Sequence, residues 1–582
     1  MLGVHIDGGL CEQFVVPSSK LHLSAKLDYE QLALIETLAI GYHAVKRSGI
    51  SKNDVVLVVG AGPIGLSVIQ SVNLIGAQVW VLDVNERRVQ FAKKHFGIQN
   101  SFVDPVVMAK ERTSVSSGEM PTAFLATWSQ GQGPVLGTYA EYDAVPGNSQ
   151  QPVPYKSPRE GLHDWAPGHT DPHSSLGVAS LAAILGTKRA MEVHGIEGEL
   201  RFFGEPAEKV CGSKPAHAAK GYYEGADAYI SYHPNPNNTV ILDTHCGSYW
   251  SVVFTFECQE PEKWMDPSLL VSPDRPHTVP RCPGALDAVC LMYTTTKYTK
   301  ESMFPHTGTW TLNEFILAGG QCTSDNLPPR FSQIQYAWRS PTLDIQEQIF
   351  SVLERNAQQA AVATGCTLST RWVTKTRVGL PNHVMANLTY KNMALMGPPE
   401  YSEDARGFAR EIQENLGIAP MDDPFTEDNQ KLTTPQEWES AQQQSLPPWQ
   451  INFTSDDYVE YTWHAPTVRV HTSRPRLKSP EQGFSYPAWV VNAMGGVPDC
   501  INPGMFLAGK TMACTMIDLF TNPDHLKKAW EEFNQRTGGG VGGDKWMSPL
   551  LPEDFDPPVD LRWPEYINTV RGEEWWIPTN NK

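Results

Sequence analysis

The hydrophobic pattern changes character along the chain. Residues 55–60 read VVLVVG, an unbroken β-branched run that predicts a buried parallel strand. Leu66–Ile75 then reads as a helix, and Gln78–Leu82 as a second strand ending on Asp83. Ser101–Asp104 is a candidate third strand, after which the character of the sequence shifts. Further on, a strand runs into Gly204 and another ends near His233. From Asp243 to Phe256 apolar and polar positions alternate, the pattern of a half-buried strand. Helical spacing over Ala285–Lys297 and Leu343–Ala363, with strands at Ser332–Arg339 and Cys366–Thr374, predicts a small sheet carrying two helices. Residues 537–582, rich in Gly, Trp and Pro, read as an extended tail.

The turn after the first strand is Gly60-Ala-Gly62-Pro-Ile-Gly65. Strand, Gly-rich turn, helix, strand and acid in that order form a dinucleotide-binding pattern. The glycines let backbone N–H groups approach a pyrophosphate at the helix N-terminus. Asp83 would accept from ribose hydroxyls, favouring NAD over NADP. With its flanks, IETLAIGYHAVKRSGISKNDVVLVVGAGPIG, this region resembles medium-chain, zinc-type alcohol and polyol dehydrogenases. The zinc-binding lobe of that family and the second half of its nucleotide domain have no counterpart here. The fragment therefore reads as a folded remnant without function, with NAD binding as the alternative and oxidoreductase activity as a further one.

Three motifs downstream carry hydrolytic chemistry. Gly168-His-Thr-Asp171-Pro-His173 places a carboxylate and an imidazole two residues apart in a loop. Glu205-Pro-Ala-Glu208-Lys209 follows a strand, the position at which open α/β sheets place active sites. Tyr232-His233-Pro234 sits at another strand end. Together with EMPTAFLATWSQGQGPVLGTYAEYDAVPGNSQQ, these segments resemble the aminobenzoyl-glutamate hydrolase group, which belongs with the aminoacylases and carboxypeptidase G among metal-dependent amidohydrolases. The resemblance implies metal ligation by Asp171, His173 and His233, with Glu208 as general base on the attacking water. Lys209 stands where the family has a second ligating Glu, and Asn502 where it has a ligating His. The implication is a single zinc ion, with Lys209 steadying the oxyanion; a non-catalytic protein with a degraded metal site is the rival. Asp457 and Glu460 lie in a family-like acidic segment that would orient ligands or serve as buried structural partners.

The resulting expectation is an α/β chain: a partial Rossmann unit over 1–104, an α/β metallohydrolase core over 105–244 and 379–536, an inserted α+β lid or dimerisation domain over 245–378, and an extension over 537–582. The family's lid His has no counterpart in Pro261–Met265, leaving His245 or His277 as substitutes. The resemblance further implies a homodimer through the lid and a small substrate bearing a carboxylate, an N-acyl or N-aroyl amino acid.

Composition narrows the field. A net charge of -18 repels nucleic-acid phosphates, and no basic run offsets it. Ten Cys without a C-x-x-C pair argue for a reduced, cytoplasmic chain and against a zinc ribbon. Neither a basic-apolar leader nor a stretch of about 20 apolar residues is present, which argues against a secreted or membrane-spanning protein.

Overall fold

The computed structural model describes residues 26–83, 85–103, 120, 122–158, 166–168, 173–243, 246–259, 283–320, 328–561, 566–569 and 572–575. Asp171, His245, His277 and the Pro261–Met265 stretch lie outside the described residues. The chain divides into two compact units, Met1–Thr113 and Ser114–Lys582.

In the first unit, strands β1 (Val55–Val59), β2 (Gln78–Leu82) and β3 (Asn100–Phe102) form a parallel sheet in the order β1-β2-β3. The Pro63–Ile75 helix starts directly behind the Gly-rich turn with Pro63 in its first turn, where a missing N–H costs nothing. A Cβ at Gly65 would lie 1.7 Å from the Gly60 carbonyl oxygen, so only glycine lets this helix start against the strand end. Val58, Ile69, Val72, Val79 and Val81 make the small core. β1 is not buried on both sides as its β-branched run predicts: Val58 is covered, whereas Val55, Leu57 and Val59 are exposed, Val59 at 72%. Among the described residues one face of this strand has no layer over it, and an apolar run by itself does not say how many layers the chain supplies.

The second unit contains a mixed sheet made of β4 (Phe124–Gln130), β5 (Val135–Glu141), β6 (Gly198–Glu205), β7 (Ala228–Asn235), β8 (Thr239–Val240) and β14 (Thr467–Ser473). The order is β4-β6-β5-β7-β14-β8, with β6, β5, β7 and β14 parallel and β4 and β8 antiparallel at the edges. The His173–His194 and Pro498–Thr521 helices pack against each other and against this sheet. Leu136, Leu200 and Val470 from the strands meet Leu176, Ala183 and Met512 from the helices in one continuous core. The chain runs from β5 outward to β6, then back across to β7. Strand order thus reverses at β5, the place where open α/β sheets leave a crevice beyond their C-terminal ends.

After β8 the chain leaves this sheet and builds a second one from β9 (Cys246–Glu257), β10 (Thr311–Ala318), β11 (Phe331–Ser340) and β12 (Thr367–Lys375), antiparallel in the order β10-β11-β9-β12. The Ala285–Met303 and Leu343–Thr364 helices cover it. Trp250, Phe254, Tyr336 and Trp338 dominate its core, with Ile349 and Leu353 from the second helix. A short strand, β13 (Thr454–Ser455), pairs with Cys246–Gly247 at the start of β9 and so ties this sheet to the loop before Asp456. Leu551 and Phe555 of the C-terminal stretch pack with Met120, Ala123 and Ala216. No helix among the described residues is long and apolar enough to cross a membrane.

Candidate active site

Beyond the ends of the parallel strands lies a buried cluster of acids, histidines and lysines. β5 supplies Glu141 and the turn after it Asp143; β7 supplies His233; His173 opens its helix; Glu208 follows β6. Glu208 sits in a single 3₁₀ turn between Ala207 (φ 58°, ψ 36°) and Cys211 (φ 49°, ψ 41°). Left-handed backbone at a non-glycine residue costs on the order of 1–3 kcal/mol. The turn is held by Cys211 N–H donating to Glu208 O (2.7 Å), Gly212 N–H donating to Ala207 O (2.9 Å) and Thr374 Oγ1 donating to Cys211 O (2.6 Å). Lys209 N–H donates to Asp143 Oδ2 at 2.9 Å, linking the turn to the loop after β5.

His173 Nε2 lies 2.9 Å from Glu208 Oε2 and 3.3 Å from Glu141 Oε2. Its Nδ1 faces Asp143, 2.8 Å from Oδ1 and 3.1 Å from the main-chain carbonyl. His233 Nδ1 donates to the Pro234 carbonyl at 2.7 Å. In both rings Nδ1 is thus occupied on a backbone carbonyl and Nε2 is left for another partner. Among the described residues, His173 Nε2, Glu141 Oε2 and Glu208 Oε2 are buried with no well-directed hydrogen bond, close as they lie to one another. Ligating atoms of Glu141, His173 and His233 all fall within 4.8 Å of one another, as do those of Asp143, His173 and Glu208.

Lys214, fully buried, bridges Glu141 Oε1 and Asp457 Oδ1 at 2.7 Å each and lies 4.7 Å from the Tyr139 ring centroid. Asp456 pairs with Arg469 at 2.8 Å, and that guanidinium stacks on Tyr458. Five carboxylates (Glu141, Asp143, Glu208, Asp456, Asp457) thus face three fixed cations (Lys209, Lys214, Arg469). The deficit of positive charge is visible in the titration. Burial pushes Glu141 up to about 7, with Glu208 adding to it against Lys214 and His173. Asp457 is also pushed well up, by burial and then by Glu208 and Glu141, against Lys214. Burial alone would lower His173, but Asp143 and Glu208 raise it to about 10. Burial would raise Glu208, yet His173 and Lys209 hold it well below the usual carboxylate range. His233 is lowered to about 3 by burial and by Arg469, so it is neutral near pH 7.

Of the residues that the sequence nominates, His173, His233 and Glu208 converge here. Lys209 does not turn away: its Nζ lies 3.1 Å from Glu208 Oε2 while the side chain stays 41% exposed. Asn502 lines a separate cavity of about 420 Å³ with Met396, Pro398 and Phe506, which shares no residue with the cluster. Glu460 is a structural partner: Arg377, fully buried, donates to both its carboxylate and its carbonyl. Sequence reasoning misses Glu141, Asp143, Lys214, Asp456 and Arg469. The first two carried a readable signal, two acids two apart at the end of an apolar strand. Lys214 and Asp457 are 243 positions apart, and no local pattern joins them. In the first unit, Asp83 Oδ2 accepts from Ala61 N–H (2.7 Å) and Oδ1 from Asn85 N–H (2.8 Å), so both oxygens face the turn's own backbone.

No family model matches the chain. Over 435 residues it is 25% identical to a p-aminobenzoyl-glutamate hydrolase of Escherichia coli (strain K12), covering 72% of this chain and 84% of that protein. Over 295 residues it is 25% identical to Xaa-Arg dipeptidase of Mus musculus, covering 49% of this chain and 60% of the relative. A segment of 88 residues is 44% identical to L-galactonate-5-dehydrogenase of Escherichia coli (strain K12), 15% of this chain and 26% of that protein. The chain thus spans about a quarter of that dehydrogenase. The longest match exceeds the whole first unit, so the second unit is homologous to amide hydrolases, and a short segment is homologous to zinc-type alcohol dehydrogenases.

Proposed function

We propose that the second unit hydrolyses the amide bond of an N-acyl or N-aroyl amino acid, with a divalent metal, zinc, held by Glu141, His173 and His233 and with Asp171 as a further ligand. One observation carries this reading: two histidines fixed through Nδ1 on backbone carbonyls, with Nε2 turned toward carboxylate oxygens in a site short of positive charge. Metal-ligating histidines are oriented in this way by the hydrogen bond on their other nitrogen. When bound, such a cation supplies Lewis acidity, polarising a carbonyl and lowering the pKa of water.

Glu208 is the base. Held ionised by His173 and Lys209, it accepts a proton from water as the water oxygen bonds to the amide carbon. It returns that proton to the amide nitrogen as the C–N bond breaks, giving a carboxylic acid and an amine. Lys209, charged and partly exposed beside Glu208, offsets the negative charge that develops on the carbonyl oxygen. The same ammonium disfavours a second divalent ion: at about 4 Å and an effective dielectric of about 20, repulsion is roughly 8 kcal/mol. A single ion follows.

The test is elemental analysis of the purified chain beside a screen of N-acyl and N-aroyl amino acids, p-aminobenzoyl-glutamate among them. One zinc per chain, with hydrolysis lost in Glu208→Gln, is the expected result. A metal-free chain that stays inactive when zinc is added overturns the reading.

In the first unit, a specific observation favours NAD binding without turnover: a Cβ at Gly60 or Gly62 would meet nothing within 4 Å, an open cradle at the helix start. Fluorescence titration with NADH tests it. The oligomer we propose is a homodimer along β10, whose Phe315 and Ile316 are each 46% exposed; light scattering that gives a monomer mass rejects it.

A further inference from the structure

A second cavity, of about 350 Å³, opens against the buried cluster and shares His233 and Asp456 with it. Its walls come from β7, β14 and the Pro435–Gln443 helix, and the mechanism above uses none of them beyond those two residues. A volume of this size lies at the lower end of small-molecule pockets, roughly 300–1,000 Å³, and suits one ring-sized group.

The lining has a definite chemistry. Trp438 and Phe453 form an aromatic wall, their ring centroids 6.0 Å apart, and Trp438 meets the His471 ring edge-on at 6.1 Å. Asn235 Nδ2 donates to His471 Nδ1 at 2.7 Å, and burial together with Arg469 lowers the ring's basicity, so His471 is a neutral wall. Two guanidiniums, Arg469 and Arg474, face one carboxylate, Asp456. Arg469 is committed to Asp456 and to the Tyr458 ring. The lining therefore carries a formal positive charge at Arg474. That residue's backbone is pinned on both sides: its N–H donates to Asn235 O (2.9 Å) and its carbonyl accepts from Asn429 Nδ2 (2.6 Å). A planar fork on a fixed backbone beside an aromatic wall matches a flat anion.

We propose that this cavity is a substrate subsite that takes a planar aromatic group bearing a carboxylate, with Arg474 as the specificity-determining residue and Trp438 as its stacking partner. Calling the occupant a substrate rests on the hydrolase reading; the binding of the group does not.

The test is calorimetric titration of the purified full chain with benzoate, benzamide and acetate, in wild type, Arg474→Ala, Arg474→Lys and Trp438→Ala, each checked by its melting curve. Wild type is expected to bind benzoate at least tenfold tighter than either benzamide or acetate. Arg474→Ala brings benzoate to the level of benzamide, Arg474→Lys keeps part of the preference, and Trp438→Ala weakens both aromatic probes. Wild type that binds benzoate and benzamide alike overturns the proposal. So does a folded Arg474→Ala chain that keeps the tenfold preference. Turnover is read separately: a chain that shows the probe preference but hydrolyses no amide keeps the subsite and sinks the hydrolase reading.

Discussion

His173 and Glu208 meet at 2.9 Å, Nε2 to Oε2, although they belong to different elements on either side of β6. The contact exists because a strained turn aims Glu208 back toward the start of the His173–His194 helix. Around that pair every other cluster residue finds its partner, and it is the natural place to perturb first.

Glu208→Gln keeps the shape of the side chain but removes the base. General acid–base catalysis contributes typically about 10²–10⁴-fold, so kcat for amide hydrolysis is expected to fall by about that factor. Steady-state kinetics beside a melting curve decide it; unchanged kcat assigns the base elsewhere.

Lys214→Met leaves Glu141 and Asp457 facing each other in the interior. Removing one partner of a buried ion pair costs about 3–5 kcal/mol. Chemical denaturation of the second unit should show a loss of that order, and adding Asp457→Leu should recover part of it. Additive losses in the double variant reject the coupling.

Ala207→Gly should not destabilise. Ala207 adopts φ 58°, where glycine carries no Cβ penalty, so the expected change is neutral to a gain of about 1 kcal/mol. A lower kcat with unchanged or higher stability would show that strain holds Glu208 in place; a stability loss of more than about 1 kcal/mol contradicts the strained assignment.

Glu205 makes stability depend on acid pH. Burial would raise its pKa, but His217, Lys214 and Tyr461 outweigh burial and lower it to about 2, against an ordinary 4.5. A depressed carboxylate contributes stability above its unfolded value and loses it as pH falls, here between 4.5 and about 2. By linkage the contribution is roughly 3 kcal/mol at neutral pH. Denaturation midpoints followed down this window should fall in wild type, with a shallower fall in Glu205→Gln; identical slopes reject the assignment.

Gly65→Ala places a methyl 1.7 Å from the Gly60 carbonyl oxygen. The first unit should then lose its protection from limited proteolysis while hydrolysis by the second is unchanged. A protease pattern like wild type means that the helix can shift without cost.

By itself the sequence determined what is local. The β-branched run and GAGPIG dictated strand, turn and helix in the first unit, because a left-handed turn and a close helix start admit only glycine. Strand ends beside Glu208 and His233, and the helix start at His173, were legible for the same reason: each chemical group sits within a few residues of the pattern that positions it. The tertiary structure alone decided the partners. Lys214 chooses Asp457 across 243 residues, and Arg377 takes Glu460. Glu141 enters the cluster because strand order reverses at β5. A buried charge must find its counter-charge wherever packing brings one, and packing is set by sheet order and by the layers available. The same dependence left Val55, Leu57 and Val59 exposed on a strand whose composition alone predicts burial.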